Sequence, residues 1–279
     1  ERYTAVAGRE GLKGLPAHSL IEATHHLAEF LLIVKARILE EILASVVLAA
    51  DETPHKMLEG DKKRNWFLWG FSSETAAYFE CHNTRSGDVA SSLLIKSKAQ
   101  ILMSDKYSGY DKAVKDTNES RASENTTPLL AAYCNAHARR KFKEAEVNFP
   151  EQCQEILRCY RVIYRLEKRG KRTGRVAENR KHSTWIFERM RKQIENDYET
   201  VSSKSEFAKA CKYLLGNFQG LTLFCKDARV PIDNNAQERL LRSPVVGRKT
   251  WYGTHSKRGA ETAATLFTIV ESCKLNKIN

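Results

Sequence analysis

Three acidic residues stand where a folded chain could gather them into one metal-binding site. Asp51 closes the apolar run SVVLAAD, Asp105 closes ILMSD, and Glu238 lies in IDNNAQERLLR with basic residues on both sides. Converging carboxylates can hold two divalent cations, and such a pair can drive in-line displacement at a phosphodiester. Carboxylate oxygens and substrate phosphates suit Mg2+, or Mn2+ in its place. The charge balance points to the substrate: 46 Lys and Arg against 34 Asp and Glu leave a net charge of +12. Cationic side chains supply most of the non-specific affinity for nucleic acid. Each acid also has a plainer reading. Asp51 could form a turn before Pro54, Asp105 could cap a helix ahead of Tyr107, and Glu238 could sit on a solvated helix face. Glu52 competes with Asp51, but neighbouring strand residues face opposite sides. Asp111 competes with Asp105 but falls inside the following helix.

The residues around these acids add detail. Asp233 is the best N-cap of the helix carrying Glu238, and Asn234 and Asn235 can also satisfy its first amides. Asn234 and Glu238 are then four residues apart on one face, where the amide could orient the carboxylate or meet a phosphate. Cys134 and His137 form CNAH. A zinc site needs two further ligands, and no second Cys/His pair has suitable spacing, so His137 is read as supporting the acidic site or touching a phosphate. The candidate DNA contacts are Arg139 and Arg140 after His137, Arg239 and Arg242 beside Glu238, and Arg248, Lys249 and Trp251 in GRKTWYGTHSKRG. Cations interleaved with Trp251 and Tyr252 suit stacking on an unpaired base. The plainer alternative buries Trp251 in the core.

The elements that must position these residues follow from pattern. Residues 1–16 look irregular, and 18–44 carry apolar residues at helical spacing. SVVLAAD, NWFLWGF, TAAYFECHNT, AQILMSD and LLAAYC read as five strands. A helix from about 88 to 97, capped by Ser86 or Asp88, lies between the third and fourth, and a helix in YSGYDKAVKDT lies between the fourth and fifth. Three strands, helix, strand, helix, strand is the order of the RNase H-like fold, whose first and fourth strands are neighbours. The expectation is an α/β chain with a mixed five-stranded sheet flanked by helices. An N-terminal helical segment fills 1–44, the core occupies 45–135 and 227–279, and an all-helical insertion occupies 136–226. Within the insertion, Ile156, Tyr160, Ile163 and Leu166 form one apolar stripe and Trp185, Met190, Ile194 and Tyr198 another, joined by a basic, flexible turn, KRGKRTGRVAENRK. Seven cysteines, an odd count with no CxxC pair, suggest no disulfide framework and a reducing compartment. No apolar stretch reaches membrane-span length and no signal peptide opens the chain. Both point to the cytoplasm. The start at Glu1 without methionine is read as a fragment or a processed product.

Taken together, ADETP, SDKYSGYD, YCNAHARRKF, IDNNAQERLLR with VVGRKTW, and RGAETAATLFTIVESCKLN resemble the catalytic domain of the insertion-sequence-66 family of bacterial DDE transposases. The resemblance runs from about residue 18 to the end. It implies that Asp51, Asp105 and Glu238 are the catalytic, metal-holding acids. Between them lie 53 residues (105 − 51 − 1) and 132 residues (238 − 105 − 1), and the longer gap fits a helical insertion. It also implies Mg2+ or Mn2+ as cofactor, transposon-end and target DNA as partners, a homo-oligomer on that DNA, and a place at the bacterial nucleoid. The activity implied is strand cleavage followed by strand transfer. The alternatives are a structure-selective nuclease that cuts without joining, and a degenerate remnant that only binds DNA. The chain departs from the family at Lys106, where glycine is usual, at Asn135, where tryptophan is usual, and at THSKRGAE, where a glycine-rich segment is usual. An ammonium at Lys106 would compete with a metal at Asp105. The cysteine-rich and leucine-rich upstream regions of full-length members do not occur in this sequence.

Overall fold

The computed structural model describes residues 2–11, 16–58, 65–251 and 253–278. Where the sequence reads as irregular, the chain forms α1 (Arg2–Arg9). The helix expected over 18–44 is two, α2 (Ala17–Phe30) and α3 (Leu32–Ala44). The α-type bonds continue through the break, from the Leu31 amide to the Leu27 carbonyl and from the Lys35 amide to the Leu31 carbonyl.

The first apolar run opens β1 (Val47–Lys56), which continues five residues past Asp51. Thr53 and His55 are buried while Pro54 and Lys56 are exposed, the two-residue period of a strand. Asp51 is therefore a mid-strand residue. Next come β2 (Asn65–Ser72) and β3 (Ala77–His82), an antiparallel pair. α4 (Asp88–Leu94) follows with Gly87, not Ser86 or Asp88, at its N-cap. Only glycine fits there, because a Cβ would lie 2.3 Å from the Gly109 carbonyl oxygen. β4 (Ile101–Ser104), α5 (Ser108–Ser123) and β5 (Leu130–Tyr133) come next. The sheet order is β3-β2-β1-β4-β5, with β1–β4 and β4–β5 parallel. First and fourth strands are thus neighbours in a mixed sheet, as their order predicts. The chain then runs through α6 (Asn135–Ala145), α7 (Pro150–Thr173), α8 (Val176–Thr200), α9 (Glu206–Gly216) and α10 (Phe218–Lys226). It ends with α11 (Asn235–Leu240), α12 (Arg242–Trp251) and α13 (Lys257–Leu275).

Two compact units emerge, with boundaries inside β1 and α11. One comprises Glu1–Ala44, Asp51–Ser86 and Arg239–Asn279; the other comprises Ser45–Ala50 and Gly87–Glu238. In the first, α13 packs on β3. Its Thr268 hydroxyl accepts from the Phe79 amide at 3.0 Å, and the Ser272 hydroxyl both accepts from and donates to the Ala77 backbone. Polar helix side chains thereby cover a strand edge that would otherwise present unpaired backbone groups.

In the second unit, the helices enclose an aromatic core. Phe187 lies edge-on to Tyr160 and Phe224, with ring centroids 6.0 Å apart in both pairs. The basic stretch expected to be a flexible turn is helical almost throughout. Only Gly174, at φ 69°, and Arg175 separate α7 from α8. A buried ion pair braces this hairpin: Arg180 donates to both Glu167 carboxylate oxygens, at 2.7 and 2.9 Å, and to the carbonyls of Phe224 and Asp227. Met190 and Ile194 are buried as their stripe predicts, but Trp185 is 65% exposed.

Removing Arg180 strands the Glu167 carboxylate in the core, which typically costs about 3–5 kcal/mol. Arg180→Ala should therefore speed hydrogen exchange of the α7 and α8 amides by roughly two to four orders of magnitude, at about 1.4 kcal/mol per decade. Exchange rates equal to wild type would show that the pair does not hold the hairpin. All seven cysteines are free. Burial pushes the thiols of Cys134, Cys153 and Cys225 up to about 11 and those of Cys81 and Cys211 up to about 12. A raised folded pKa contributes stability that is complete below the unfolded value, about 8.5, and is lost as pH rises through the folded value. Melting temperature should accordingly fall between about pH 9 and 12. Replacing these thiols by alanine should flatten that fall; an unaltered alkaline limb would place its cause elsewhere.

Candidate active site

Within the second unit, the parallel strands deliver two candidate residues side by side. Ser104 at the end of β4 pairs with Tyr133 at the end of β5, and the Cys134 amide donates to the Ser104 carbonyl at 3.1 Å. Asp105 and Cys134 therefore leave neighbouring strands together. Asp105 accepts from the Tyr107 amide at 3.1 Å, a local turn that leads into α5. Cys134 leads into α6.

The chain before α11 is anchored to the same place. Asn135 is fully buried, and its side-chain amide donates to the carbonyls of Leu221 and Ile232 at 2.8 and 3.0 Å. The Asn234 amide donates to the Cys134 sulfur at 3.3 Å, and its side chain donates to the Ala50 carbonyl at 3.1 Å. Asp233 accepts from the amide and side chain of Asn235 and from the Tyr164 hydroxyl, the last at 2.9 Å. Burial first, and then the Asp233 charge, push the Tyr164 phenol far upward. The Glu238 amide donates to the Asn234 carbonyl at 3.0 Å, so Asn234 and Glu238 are joined by one helical turn.

These ties bring one potential ligand atom each of Cys134, His137 and Glu238 within 4.8 Å of one another. His137 Nδ1 lies 3.9 Å from Glu238 Oε1, too far for a hydrogen bond. Both atoms are buried without a hydrogen-bond partner, as is Asn234 Oδ1. An unsatisfied buried polar group costs about 1–3 kcal/mol, so such a set points to something that completes it. The 3.9 Å gap is within the reach of two ligands each bound at about 2.1 Å. Cys134 fits a metal poorly. Its sulfur already accepts from the Asn234 amide, and a thiolate selects softer ions than Mg2+ or Mn2+. His137 and Glu238 are the pair whose free atoms suit a divalent ion.

Lys106 is neutralised elsewhere. Its ammonium pairs with Asp111 and lies 4.9 Å above the centre of the Tyr133 ring, while the Tyr133 hydroxyl donates to Asp111 at 3.0 Å. The competing Asp111 is thus also engaged. In the other unit, Asp51 is half-buried and accepts from the Glu52 amide at 2.9 Å. Glu52, its rival, is a buried partner of Arg85 at 2.6 Å. Among the expected DNA contacts, Arg139, Arg140, Arg239, Arg242 and Lys249 are exposed. Arg248 donates to the Thr53 hydroxyl at 3.1 Å and to the Pro54 carbonyl. Trp251 is partly core: it stacks on Phe267 at 6.3 Å with 46% of its surface open. Tyr252 lies outside the described residues.

Sequence reasoning did not find Asn135 and Tyr164 as braces of this site. Both act across long sequence separations: Asn135 enters the sequence reading only as the residue that stands for tryptophan in CNAH, and Tyr164 enters it not at all.

The family model described as Transposase IS66 family matches residues 1–262, beginning earlier than residue 18. Three curated relatives come from Sinorhizobium fredii (strain NBRC 101917 / NGR234). Uncharacterized protein y4hP is 28% identical over 263 residues, covering 85% of this chain and 46% of that protein. Uncharacterized protein y4qI is 29% identical over 294 residues, covering 100% and 53%. Uncharacterized protein y4jD is 29% identical over 185 residues, covering 64% and 35%. The chain spans about half the length of the first and second of these and about a third of the last.

If His137 and Glu238 hold an ion together, His137→Ala and Glu238→Gln should each weaken Mn2+ binding about tenfold or more by calorimetry. Cys134→Ala should leave it unchanged. Equal affinity in all four proteins would take the pair out of metal binding.

Proposed function

Since this chain belongs to the transposase IS66 family, we propose that it is the catalytic part of a DNA transposase. In this reading the core is RNase H-like, residues 136–226 are an insertion into it, and Asp51, Asp105 and Glu238 are its metal-holding acids. The observation that carries the proposal is the pair of partnerless buried atoms on His137 and Glu238, set against the strand ends from which Asp105 and Cys134 emerge. Strand register supports Asp51 as the third acid. Val47 pairs with Ile101 and Ala49 with Met103, so the parallel pairing of β1 and β4 runs up to the segment that carries Asp51. The Asn234 bond to Ala50, one residue before Asp51, supports the same arrangement.

Bound Mg2+ or Mn2+ would supply activation of the attacking hydroxyl and stabilisation of the leaving oxygen. The protein's part is positional. Asp51, Asp105 and Glu238 offer oxygens. His137 offers a nitrogen, which suits Mn2+ better than Mg2+, or else orients a bound water. Asn234 and Asn235 hold the start of α11. Arg139, Arg140, Arg239, Arg242 and Lys249 meet backbone phosphates, Trp251 offers its open face to a base, and Arg248 steadies the Thr53–Pro54 segment. The partners are transposon-end and target DNA, bound by a homo-oligomer at the bacterial nucleoid. Among the described residues, no helix is long and apolar enough to cross a membrane.

Supercoiled plasmid with Mn2+ tests cleavage, and a labelled oligonucleotide with a free 3′-hydroxyl tests joining. Wild type should nick the plasmid and join the oligonucleotide to it. Asp105→Asn should lose both activities while keeping its fold by circular dichroism, since one charge fewer weakens a hard-ion site. Undiminished nicking by Asp105→Asn would sink the assignment. Cutting without joining would favour a structure-selective nuclease.

A further inference from the structure

Positive charge is densest in one stretch of the chain. Residues 158–192, most of the α7–α8 hairpin, hold 13 Lys and Arg against 3 Glu, a net +10 of the chain's +12. The other 244 residues are close to neutral. The two ends of the hairpin carry five acids, Glu151, Glu155, Glu195, Asp197 and Glu199, so that α7 and α8 with their linker are net +5 and the excess sits in the middle of the hairpin and at its tip.

The cations are ordered along the helix. Arg161, Arg165, Lys168 and Arg172 recur at steps of four, three and four, which places them on one face of α7. Arg175 and Lys181 continue the charge around the hairpin tip. All six are exposed, and among the described residues none has a carboxylate partner. Like charges four residues apart destabilise a helix by about 0.2–0.5 kcal/mol per pair. Arg161 with Arg165 and Lys168 with Arg172 are two such pairs. A polyanion laid along this face would turn that repulsion into attraction. The stripe from Arg161 to Arg172 spans about 17 Å at 1.5 Å per residue. That matches about five steps of duplex DNA at 3.4 Å each along one strand.

We infer that the α7–α8 hairpin is a duplex-DNA-binding arm that holds the phosphate backbone without reading sequence. The Arg180–Glu167 pair keeps it stiff. The inference rests on the transposase reading for its partner, and it adds a surface remote in sequence from the three acids. Arginine supplies most of the stripe, as suits paired hydrogen bonds to phosphate oxygens.

The test is fluorescence anisotropy with a labelled duplex of arbitrary sequence, titrated between about 50 and 200 mM salt. Neutralising Arg161, Arg165, Lys168 and Arg172 together by glutamine should reduce the slope of log affinity against log salt by about 3–4, near 0.9 per lost contact. Either pair alone, Arg161→Gln with Arg165→Gln or Lys168→Gln with Arg172→Gln, should remove about half of that. Replacing the three arginines by lysine should preserve the slope, separating charge from folding. An unchanged slope in the glutamine variant overturns the inference, even if the wild type nicks plasmid as proposed above. A reduced slope in a protein without nicking activity upholds the arm and removes the catalytic reading instead. Loss confined to a single-stranded probe would also overturn it, because the arm is assigned to duplex.

Discussion

A six-residue helix cannot hold itself in water, since helices this short do not outweigh their nucleation cost. α11 is such a helix, and it carries Glu238. Its position depends on Asn234, a side chain only 1% exposed. The backbone amide of Asn234 reaches the Cys134 sulfur, its carbonyl receives the Glu238 amide, and its side chain reaches the Ala50 carbonyl. One residue thus ties the short helix to the end of β5 and to β1. Asn135 braces the same stretch from α6 through the Ile232 carbonyl, and Tyr164 braces it from α7 through Asp233. The helical block and the strand ends converge on the few residues that precede Glu238.

The same stretch explains why the polar atoms of the site stay unpaired. His137 Nδ1 and Glu238 Oε1 stand 3.9 Å apart, beyond hydrogen-bonding distance. Side chains that compete for the site have other partners: Lys106 with Asp111, Glu52 with Arg85. Charges are thereby sorted. Those nearest the strand ends are neutralised within the fold, whereas Arg161, Arg165, Lys168 and Arg172 line one face of α7, exposed and, among the described residues, without a carboxylate partner.

Much of this was legible in the sequence because strands buried in a sheet leave short β-branched or aromatic runs, and all five such runs became strands. The neighbouring first and fourth strands followed from their order. Other features were hidden for physical reasons. β1 passes Asp51 because Pro54 falls on an exposed position of the strand, where a missing amide is tolerated. The basic stretch after Glu167 looks like loop by composition, yet the buried Arg180 holds it helical. Trp185 fits an apolar stripe by spacing but lies on the outer face. Arg248 and Trp251 read as a DNA-contacting pair, yet both also pack within their own unit. Asn234 was singled out by its spacing from Glu238, whereas its bond to Ala50 spans 184 positions and no local pattern encodes it.

The central claim is that Asp105 and Glu238 share a divalent ion. The most direct measurement is an anomalous difference map from crystals soaked in Mn2+, recorded near the manganese absorption edge. The account predicts a peak about 2.1 Å from Glu238 Oε1 and at like distance from an Asp105 carboxylate oxygen, as hard-ion coordination requires. A peak held by Cys134 and His137 alone, or no peak beside Glu238, would contradict it.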